Sequence, residues 1–228
     1  MADGCLKGRK HKPNDFLIMK TFKYLAILVF AVLAFTSCDS DPSWWPRTLT
    51  PEERQSALKE VKGDYHGKMT FYTGKNDEKT GRPIYDSLKV EWSIISDSIL
   101  IIKNLPSKVL VPNTSNTLLQ GALASAPNFD LKCKISFYQN DPAQFLINPV
   151  PPVFKLHYAD KDHTVQQLFF VDNILSFGGT TSTHNLMLRI IPGSILVDGN
   201  GSRTFARPEY RRTITFISDE KVNRPPKK

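Results

Sequence analysis

Cysteine is scarce in this sequence: its 228 residues include only Cys5, Cys38 and Cys133. Exported domains that rely on disulfides carry their cysteines in larger, paired sets. Cys5 belongs to an N-terminal segment that we expect to be removed, and Cys38 has a different use, described below. Cys133 then has no partner, which excludes a fold held together by disulfides.

A long apolar run is also missing. Tyr24–Phe35 ("YLAILVFAVLAF") has 12 residues, whereas a membrane-spanning helix needs about 20. Lys20 and Lys23 precede this run and the small residues Thr36-Ser37 follow it, which is the organisation of a secretory signal peptide. The run therefore predicts export rather than a membrane span, and we interpret residues 1–18 as an over-extended gene start.

Catalytic and metal-binding signatures are absent as well. The sequence contains no G-x-S-x-G, H-E-x-x-H or P-loop motif. "DKDH" (160–163) and "DGNG" (198–201) lack the carboxylate spacing of a calcium loop and are typical of hairpin turns. No metal-ligand spacing links the four later histidines, which are His66, His157, His163 and His184. We therefore expect no enzyme, no metal and no cofactor, although carboxylates that meet only in the fold, as in glycoside hydrolases, stay open.

A strong charge of one sign is missing too. The net charge of +8 falls to +4 once residues 1–37, with six basic and two acidic residues, are removed. Nucleic-acid-binding domains carry a larger, clustered positive charge, so we expect no nucleic-acid partner. Residues 219–228, which include the basic "KVNRPPKK", are predicted to form a disordered tail.

What the sequence does contain is a cysteine directly after the signal. "FTSC" (35–38) resembles the bacterial lipobox, with Phe35 where leucine is commoner. The resemblance implies that Cys38 becomes the first mature residue and carries a diacylglycerol on its sulfur. Several acyl chains anchor a protein stably, whereas one chain alone binds a membrane only marginally. Cys38 is thus the predicted lipidation site, and the membrane is a predicted partner through that anchor.

The same resemblance implies a location in the bacterial cell envelope. Asp39 after the cysteine is similar to an inner-membrane retention signal of enteric bacteria, whereas acidic residues there resemble a surface-export signal of Bacteroides-type proteins. "CDSD" (38–41) holds two acidic residues. We predict an outer-membrane location, with display on the cell surface left open.

The mature chain divides into a tether at residues 38–48 and a mostly β domain at residues 49–218. The first element of this domain is predicted to be a short amphipathic helix. Thr50 is the predicted N-cap, Pro51 fits the first helical position and Glu53 completes a capping box.

After Gly63, which we expect to stop the helix, the period of apolar residues changes from 3.6 to 2, the period of strands. Cys133 alternates with Lys132 and Lys134 and is predicted to be buried in a strand. A second short helix is predicted at residues 114–125. Strands are predicted at 64–72, 86–94, 99–105, 130–139, 154–158, 165–171, 173–177, 185–191, 195–197 and 211–217. Turns such as "NDP", "FGGTTST" and "IPGS" separate them, and this pattern predicts an all-β antiparallel barrel or sandwich.

Two resemblances accompany this pattern. A short helix that runs into "KGDYHGKM" (62–69) is similar to the opening of calycin-like barrels, with Tyr65 where that motif has Trp and with Arg211 or Arg212 as its basic partner. The lipobox, "LTPEERQSALKEVKGDYHGKM" (49–69), the hairpin with "VEWSI" and the mid-chain helix together resemble uncharacterised Bacteroides-type lipoproteins of the domain of unknown function 4840. The resemblance implies an envelope lipoprotein with a β-rich domain, and it implies no catalytic residues.

Two functions are compatible with these features. One is a loop- or surface-mediated interaction with an envelope protein or a small ligand of unknown identity. The alternative is a small apolar or carbohydrate ligand inside the barrel, as in lipocalins, with Trp92, Phe137 and Tyr65 as candidate lining residues. Because the inward side chains are bulky, we expect a filled interior and favour the first function. Its predicted binding surface consists of the loops at 74–84, 106–128, 140–152 and 178–184.

Overall fold

The computed structural model describes residues 48–171, 175–201 and 213–222. The predicted signal peptide, Cys38, the tether up to residue 47, Arg211, Arg212 and residues 223–228 lie outside this range. The described residues form two α-helices, one 3-10 helix and eleven strands. In chain order these are α1 (Pro51–Val61), β1 (Gly63–Asn76), β2 (Pro83–Ser96), β3 (Ile99–Leu105), the 3-10 helix (Ser107–Asn113), α2 (Thr117–Ser125), β4 (Phe129–Asn140), β5 (Ala143–Pro149), β6 (Val153–Tyr158), β7 (Lys161–Phe170), β8 (Phe177–Thr180), β9 (Asn185–Val197), β10 (Asn200–Gly201) and β11 (Ile214–Lys221).

The α1 helix begins at the predicted capping box. The Glu53 N–H donates to the Thr50 hydroxyl at 3.2 Å, and the Thr50 N–H donates to the Glu53 carboxylate at 2.9 Å. The helix ends at Val61, and Lys62 rather than the predicted Gly63 is its C-cap. No helix in the described ranges has the length and apolar character needed to span a membrane.

Eight strands close into an antiparallel barrel. The first five follow one another as a meander, β8 and β9 continue it, and β11 lies between β9 and β1. Thr215 of β11 pairs with Thr70 of β1 and with Arg189 of β9, which closes the sheet on itself. The predicted all-β barrel is confirmed, and an eight-stranded barrel is just wide enough to be filled by side chains or to hold one small ligand.

A smaller side sheet branches from this barrel. The β6–β7 hairpin leaves the barrel between β5 and β8, and β7 pairs with the second half of β9. The end of β9 also pairs with β10. The predicted hairpin turns in "DKDH" and "DGNG" are confirmed: Ala159, Asp160, Asp198 and Gly199 have φ angles of 51°, 60°, 52° and 73°, as a type I′ turn requires.

Side chains fill the barrel interior, as predicted. Trp92, Phe145 and Phe216 are fully buried, and the Trp92 and Phe216 rings meet edge to face with centroids 6.0 Å apart. A Cβ atom at Gly178 would lie 2.3 Å from the Phe145 ring, and one at Gly67 would lie 2.8 Å from the Trp92 ring. The two rings therefore occupy the space that a side chain would need at these two positions, which only glycine leaves free.

The predicted turn at "IPGS" is wrong, because β9 runs unbroken from Asn185 to Val197. Pro192 pairs with Phe169 of β7, where the register shifts between Gln167 and Phe169. A proline is tolerated at such an irregularity because its missing N–H removes no regular ladder bond. The segment thus carries β9 from the barrel into the side sheet instead of reversing the chain.

The glycines of "FGGTTST" also form a strand rather than the predicted turn. Phe177–Thr180 is β8, whereas Leu175 and Ser176 are not in a strand. The prediction of a strand at 173–177 is therefore wrong for Leu175 and Ser176, and residues 173–174 lie outside the described ranges. The physical reason is the ring of Phe145, which leaves space only for a glycine at position 178.

Two boundaries also differ from the expectation. Part of the predicted loop at 140–152 is the barrel strand β5, Ala143–Pro149. The last strand continues to Lys221, and Val222 is buried. The folded domain therefore extends beyond the predicted end at residue 218, and the predicted disordered tail at 219–228 is wrong for residues 219–222.

Candidate functional site

A cleft of about 430 Å³ lies between the end of β1, the 3-10 helix, the middle of β9 and the start of β11. We call it the neutral cleft. Its volume falls within the range of small-molecule sites, about 300–1,000 Å³. Twelve of the described residues line it: Phe71, Tyr72, Gly74, Asn76, Val109, Pro112, Asn113, Thr114, Ser115, Gln120, Pro192 and Ile214.

The cleft exists because β1 is longer than its neighbour. β11 pairs with β1 only from Gly67 to Thr70, whereas β1 continues beside β2 to Asn76. The 3-10 helix packs against this extension, and a Cβ atom at Gly74 would lie 3.6 Å from Pro112. Gly74 also has φ +85°, a conformation that favours glycine. The end of β1 and the 3-10 helix thus form facing walls.

The floor of the neutral cleft is apolar and rigid. Phe71, Val109 and Ile214 belong to the hydrophobic core and are at most 5% exposed. Pro112 and Pro192 add two further apolar surfaces. A floor made of core side chains keeps its shape, since packed interiors do not deform easily.

Among the described lining residues, the polar side chains are three amides and three hydroxyls. Each amide is held by one internal hydrogen bond. Asn113 Nδ2 donates to Gln167 Oε1 at 3.2 Å, Gln120 Nε2 donates to the Thr114 carbonyl at 2.6 Å, and the Tyr72 hydroxyl donates to Asn76 Oδ1 at 3.0 Å. The other end of each amide has no hydrogen-bond partner within the described residues. The cleft therefore offers amide groups whose orientation is set before a ligand arrives.

Gln167 positions Asn113 from within the core. It is 1% exposed, and its Nε2 also donates to the Gly193 carbonyl at 3.1 Å. A buried amide with several hydrogen bonds is costly to move. The side sheet thus fixes one wall of the neutral cleft.

A second depression, of about 370 Å³, lies on the outer barrel wall and is strongly charged. We call it the charged groove; His66, Lys89, Glu91, Lys103 and Asp219 are its ionisable lining residues. Polar contacts hold two of these groups: His66 Nδ1 makes a hydrogen bond of 2.9 Å with Glu220 Oε1, and Lys103 Nζ forms an ion pair with Asp64 Oδ1 at 3.2 Å. Hydrogen bonds from the Ser93 hydroxyl and Lys103 hold the pKa of Asp64 below its ordinary value.

The third polar cluster lies in the side sheet. His163 is buried, its ring stacks on Tyr158 at 4.1 Å, and its Nδ1 lies 2.8 Å from Asp198 Oδ2. The Thr164 N–H and then His163 hold the pKa of Asp198 below its ordinary value. His163 Nε2 is shielded from solvent and has no hydrogen-bond partner among the described residues. A water-borne substrate therefore cannot reach this nitrogen.

The residues proposed from sequence as ligand-lining lie in the barrel core. Trp92 is fully buried, Phe137 is 3% exposed and Tyr65 is 5% exposed. Tyr65 stacks on Trp92, and its hydroxyl donates to the Val61 carbonyl at 2.8 Å. None of the three lines either depression. Cys133 is buried as predicted, and burial raises the pKa of its thiol.

The predicted binding loops contribute unequally. Segments 74–84 and 106–128 supply most of the neutral cleft, whereas 140–152 and 178–184 supply none of it. The prediction of a loop at 74–84 is wrong at both ends, because β1 continues to Asn76 and β2 begins at Pro83. Sequence reasoning missed Pro192 and Gln167, because only the pairing of β7 with β9 brings them near the 3-10 helix. Within the described residues, no group of three or more His, Cys, Asp or Glu side chains could hold a metal ion.

Comparison with known families matches residues 60–197 to the family described as domain of unknown function DUF4840. This match covers more than half of the chain. No curated protein and no solved structure matches the chain.

Proposed function

For this chain, which belongs to the DUF4840 family, we propose a lipid-anchored, non-catalytic binding function in the bacterial envelope. One observation carries the proposal. The barrel interior is filled by side chains such as Trp92 and Phe145, while the neutral cleft stays open beside it. Binding is therefore assigned to the outside of the barrel, and not to a lipocalin-like cavity.

The lining of the neutral cleft supports a non-catalytic role. Tyr72 is the one ionisable side chain among the described lining residues, which include no histidine, cysteine, lysine or carboxylate. Acid–base and nucleophilic catalysis usually depend on such groups. Amides and hydroxyls over an apolar floor are instead suited to recognition.

The sequence supports the anchor. The signal run and "FTSC" end at Cys38, followed by a tether of about ten residues before Thr48. An acylated Cys38 would hold the barrel close to a membrane surface, and we propose the outer membrane.

The anchor is tested by mass spectrometry of the protein extracted from membranes. We expect a mature N-terminal peptide that begins at Cys38 and carries acyl chains. Cys38→Ala should release the protein from the membrane fraction or stop its processing. An uncleaved signal retained as a stable span would refute the anchor.

The binding surface is tested by photo-crosslinking in cells of the native host. The photoreactive residue p-benzoylphenylalanine replaces Ser115 in the neutral cleft, or Lys132, which is exposed on the outer face of β4. We expect a light-dependent adduct from position 115 and none from position 132. Equal adducts from both positions, or none from 115, would contradict binding at the cleft.

A further inference from the structure

We propose that the neutral cleft binds an uncharged, hydroxyl-rich ligand, namely a short stretch of neutral saccharide. This inference rests on the proposed binding function and specifies the ligand class of the same cleft. Three features of the neutral cleft support this ligand class: the charge of its lining, its hydrogen-bonding groups and its apolar surfaces.

The charge of the lining selects against ionic ligands. Among the described residues, the lining of the neutral cleft contains no Lys, Arg, His, Asp or Glu side chain, whereas five of the eight described residues that line the charged groove are ionisable. A ligand carboxylate or ammonium in the neutral cleft would lose water without gaining a partner of opposite charge. The free-energy cost of removing a hydroxyl group from water is much smaller when amide groups replace its hydrogen bonds to water.

The remaining hydrogen-bonding capacity is mixed, as hydroxyl groups require. The internal bond of Asn76 uses its oxygen and leaves its NH₂ as a donor. Asn113 and Gln120 each donate one N–H to their internal bond, and their carbonyl oxygens have no hydrogen-bond partner among the described residues, so these oxygens remain acceptors. A hydroxyl both donates and accepts, so neighbouring hydroxyls of one saccharide match this donor and these acceptors together.

The apolar surfaces suit the other side of a sugar ring. Tyr72 lies at the wall of the cleft, and its ring meets Tyr85 edge to face with centroids 6.1 Å apart. Its hydroxyl is tied to Asn76, so that ring and amide are held as a unit. A flat C–H face can pack on this aromatic wall and on the floor around Phe71 while the hydroxyls reach the amides.

The test uses the mature lipidated protein, extracted in a detergent without a sugar headgroup so that the detergent does not compete for the cleft. Cellohexaose, maltohexaose and the anionic hexagalacturonate are titrated to about 10 mM, where even a binding free energy of about −2.7 kcal/mol gives half saturation. We expect at least one neutral hexasaccharide to shift the NMR signals of the Asn76, Asn113 and Gln120 side chains. Hexagalacturonate should bind at least about tenfold more weakly than that ligand.

Asn76→Asp removes the donor, keeps the acceptor for Tyr72 and adds a charge. We expect it to weaken saccharide binding about tenfold, the effect of losing one hydrogen bond of about 1.4 kcal/mol. Asn148 is exposed on β5 outside the cleft, so the same change there, Asn148→Asp, should leave binding unchanged.

Three results would overturn the saccharide inference: no binding by either neutral hexasaccharide, equal or tighter binding of hexagalacturonate, or equal effects of the two aspartate variants. The photo-crosslink at position 115 separates this failure from failure of the proposed function. An adduct at 115 without saccharide binding leaves the binding function standing and rejects only the ligand class.

Discussion

A single substitution at Gly178 tests how tightly the barrel interior is packed. A Cβ atom at Gly178 would lie 2.3 Å from the Phe145 ring, in a core that has no spare volume there. We expect Gly178→Ala to lower the free energy of unfolding by about 1–3 kcal/mol, measured by urea denaturation. Gly121 on α2 has open space around it, so Gly121→Ala should stabilise by about 0.5–1 kcal/mol through helix propensity.

The two glycine variants should therefore change the free energy of unfolding in opposite directions. If Gly178→Ala costs nothing, the interior has room for an added methyl group. That result would revive a ligand inside the barrel.

The rate at which Cys133 is alkylated tests whether its thiol is buried. Burial raises the pKa of the thiol, so the reactive thiolate is disfavoured in the folded protein. In a Cys5→Ser, Cys38→Ala protein we expect iodoacetamide to react with Cys133 through the unfolded state, on the order of 1,000-fold more slowly than in denaturant. Lys132→Cys with Cys133→Ala is the exposed control and should react at once. Rapid native-state labelling of Cys133 would contradict the burial.

The charge of Asp198, in the turn between β9 and β10, is expected to make the stability of the domain depend on pH. Its pKa is lowered, first by the Thr164 N–H and then by His163. The stabilisation is therefore complete above the unfolded pKa of about 3.9 and is lost as pH falls through the lower folded value. Asn tolerates the positive φ of this position, so Asp198→Asn removes the charge and keeps the turn.

We expect Asp198→Asn to lower the urea midpoint at pH 6, with the difference from the unmodified protein vanishing near pH 2. Asp160→Asn, in the corresponding turn between β6 and β7, should change the midpoint less. A deficit for Asp198→Asn that persists at pH 2 would assign the effect to geometry rather than to charge.

Among the elements, α1 contributes a buried carboxylate as well as an apolar face. Glu60 is 6% exposed and accepts from the Ala143 N–H at 3.2 Å and from the Thr180 hydroxyl at 2.7 Å. It thereby ties the helix to β5 and β8. We expect Glu60→Ala to cost about 1–3 kcal/mol, because it leaves buried donors unpaired.

Urea denaturation measures this cost, and Gln55→Ala is the control. Gln55 is exposed on the same helix, and its change should stay within about 0.5 kcal/mol. Equal effects at both positions would mean that Glu60 contributes helix propensity alone.

Sequence reasoning succeeds for elements whose signals are local. The capping box of Thr50 and Glu53 and the alternation from Tyr65 to Phe71 depend on neighbours in the chain, and both are present as expected. The turns predicted at Gly178 and Pro192 are wrong, because both are turn residues by local propensity but lie in β8 and β9. Their strand conformation comes from Phe145 and from the irregular pairing with β7, which are contacts distant in sequence.

The residues of the neutral cleft also divide into those that local sequence signals indicate and those that only contacts distant in sequence bring together. The segments 74–84 and 106–128 supply most of the neutral cleft, but Gly74 and Asn76 lie at the end of β1 rather than in a loop, and Val109, Pro112 and Asn113 lie in the 3-10 helix. The bond between Asn113 and Gln167 spans 54 residues, and no periodicity indicates it. The chemistry of the lining is thus readable from sequence only after the fold has brought these segments together.

At the scale of the whole domain, the barrel and the side sheet share one hydrophobic core. Phe154, Leu156, Val165 and Ile195 of the side sheet belong to the same cluster as Trp92 in the barrel. A continuous core favours a single cooperative unfolding transition. The side sheet, although it branches from the barrel, should therefore not open first.

This prediction is checked by comparing two probes during urea unfolding of a Trp44→Phe, Trp45→Phe protein, in which Trp92 is the remaining tryptophan. Trp92 fluorescence reports on the barrel, and hydrogen exchange of the Val165 and Gln167 amides reports on the side sheet. We expect coincident midpoints, because opening β7 would also expose Val165 and Gln167, which are buried against the rest of the domain. The exposed turn at residues 77–82 serves as the control and should exchange quickly at every urea concentration. If Val165 and Gln167 lose protection at lower urea than Trp92 fluorescence changes, the side sheet is a separate unit, and Gln167 would then hold Asn113 in place only part of the time.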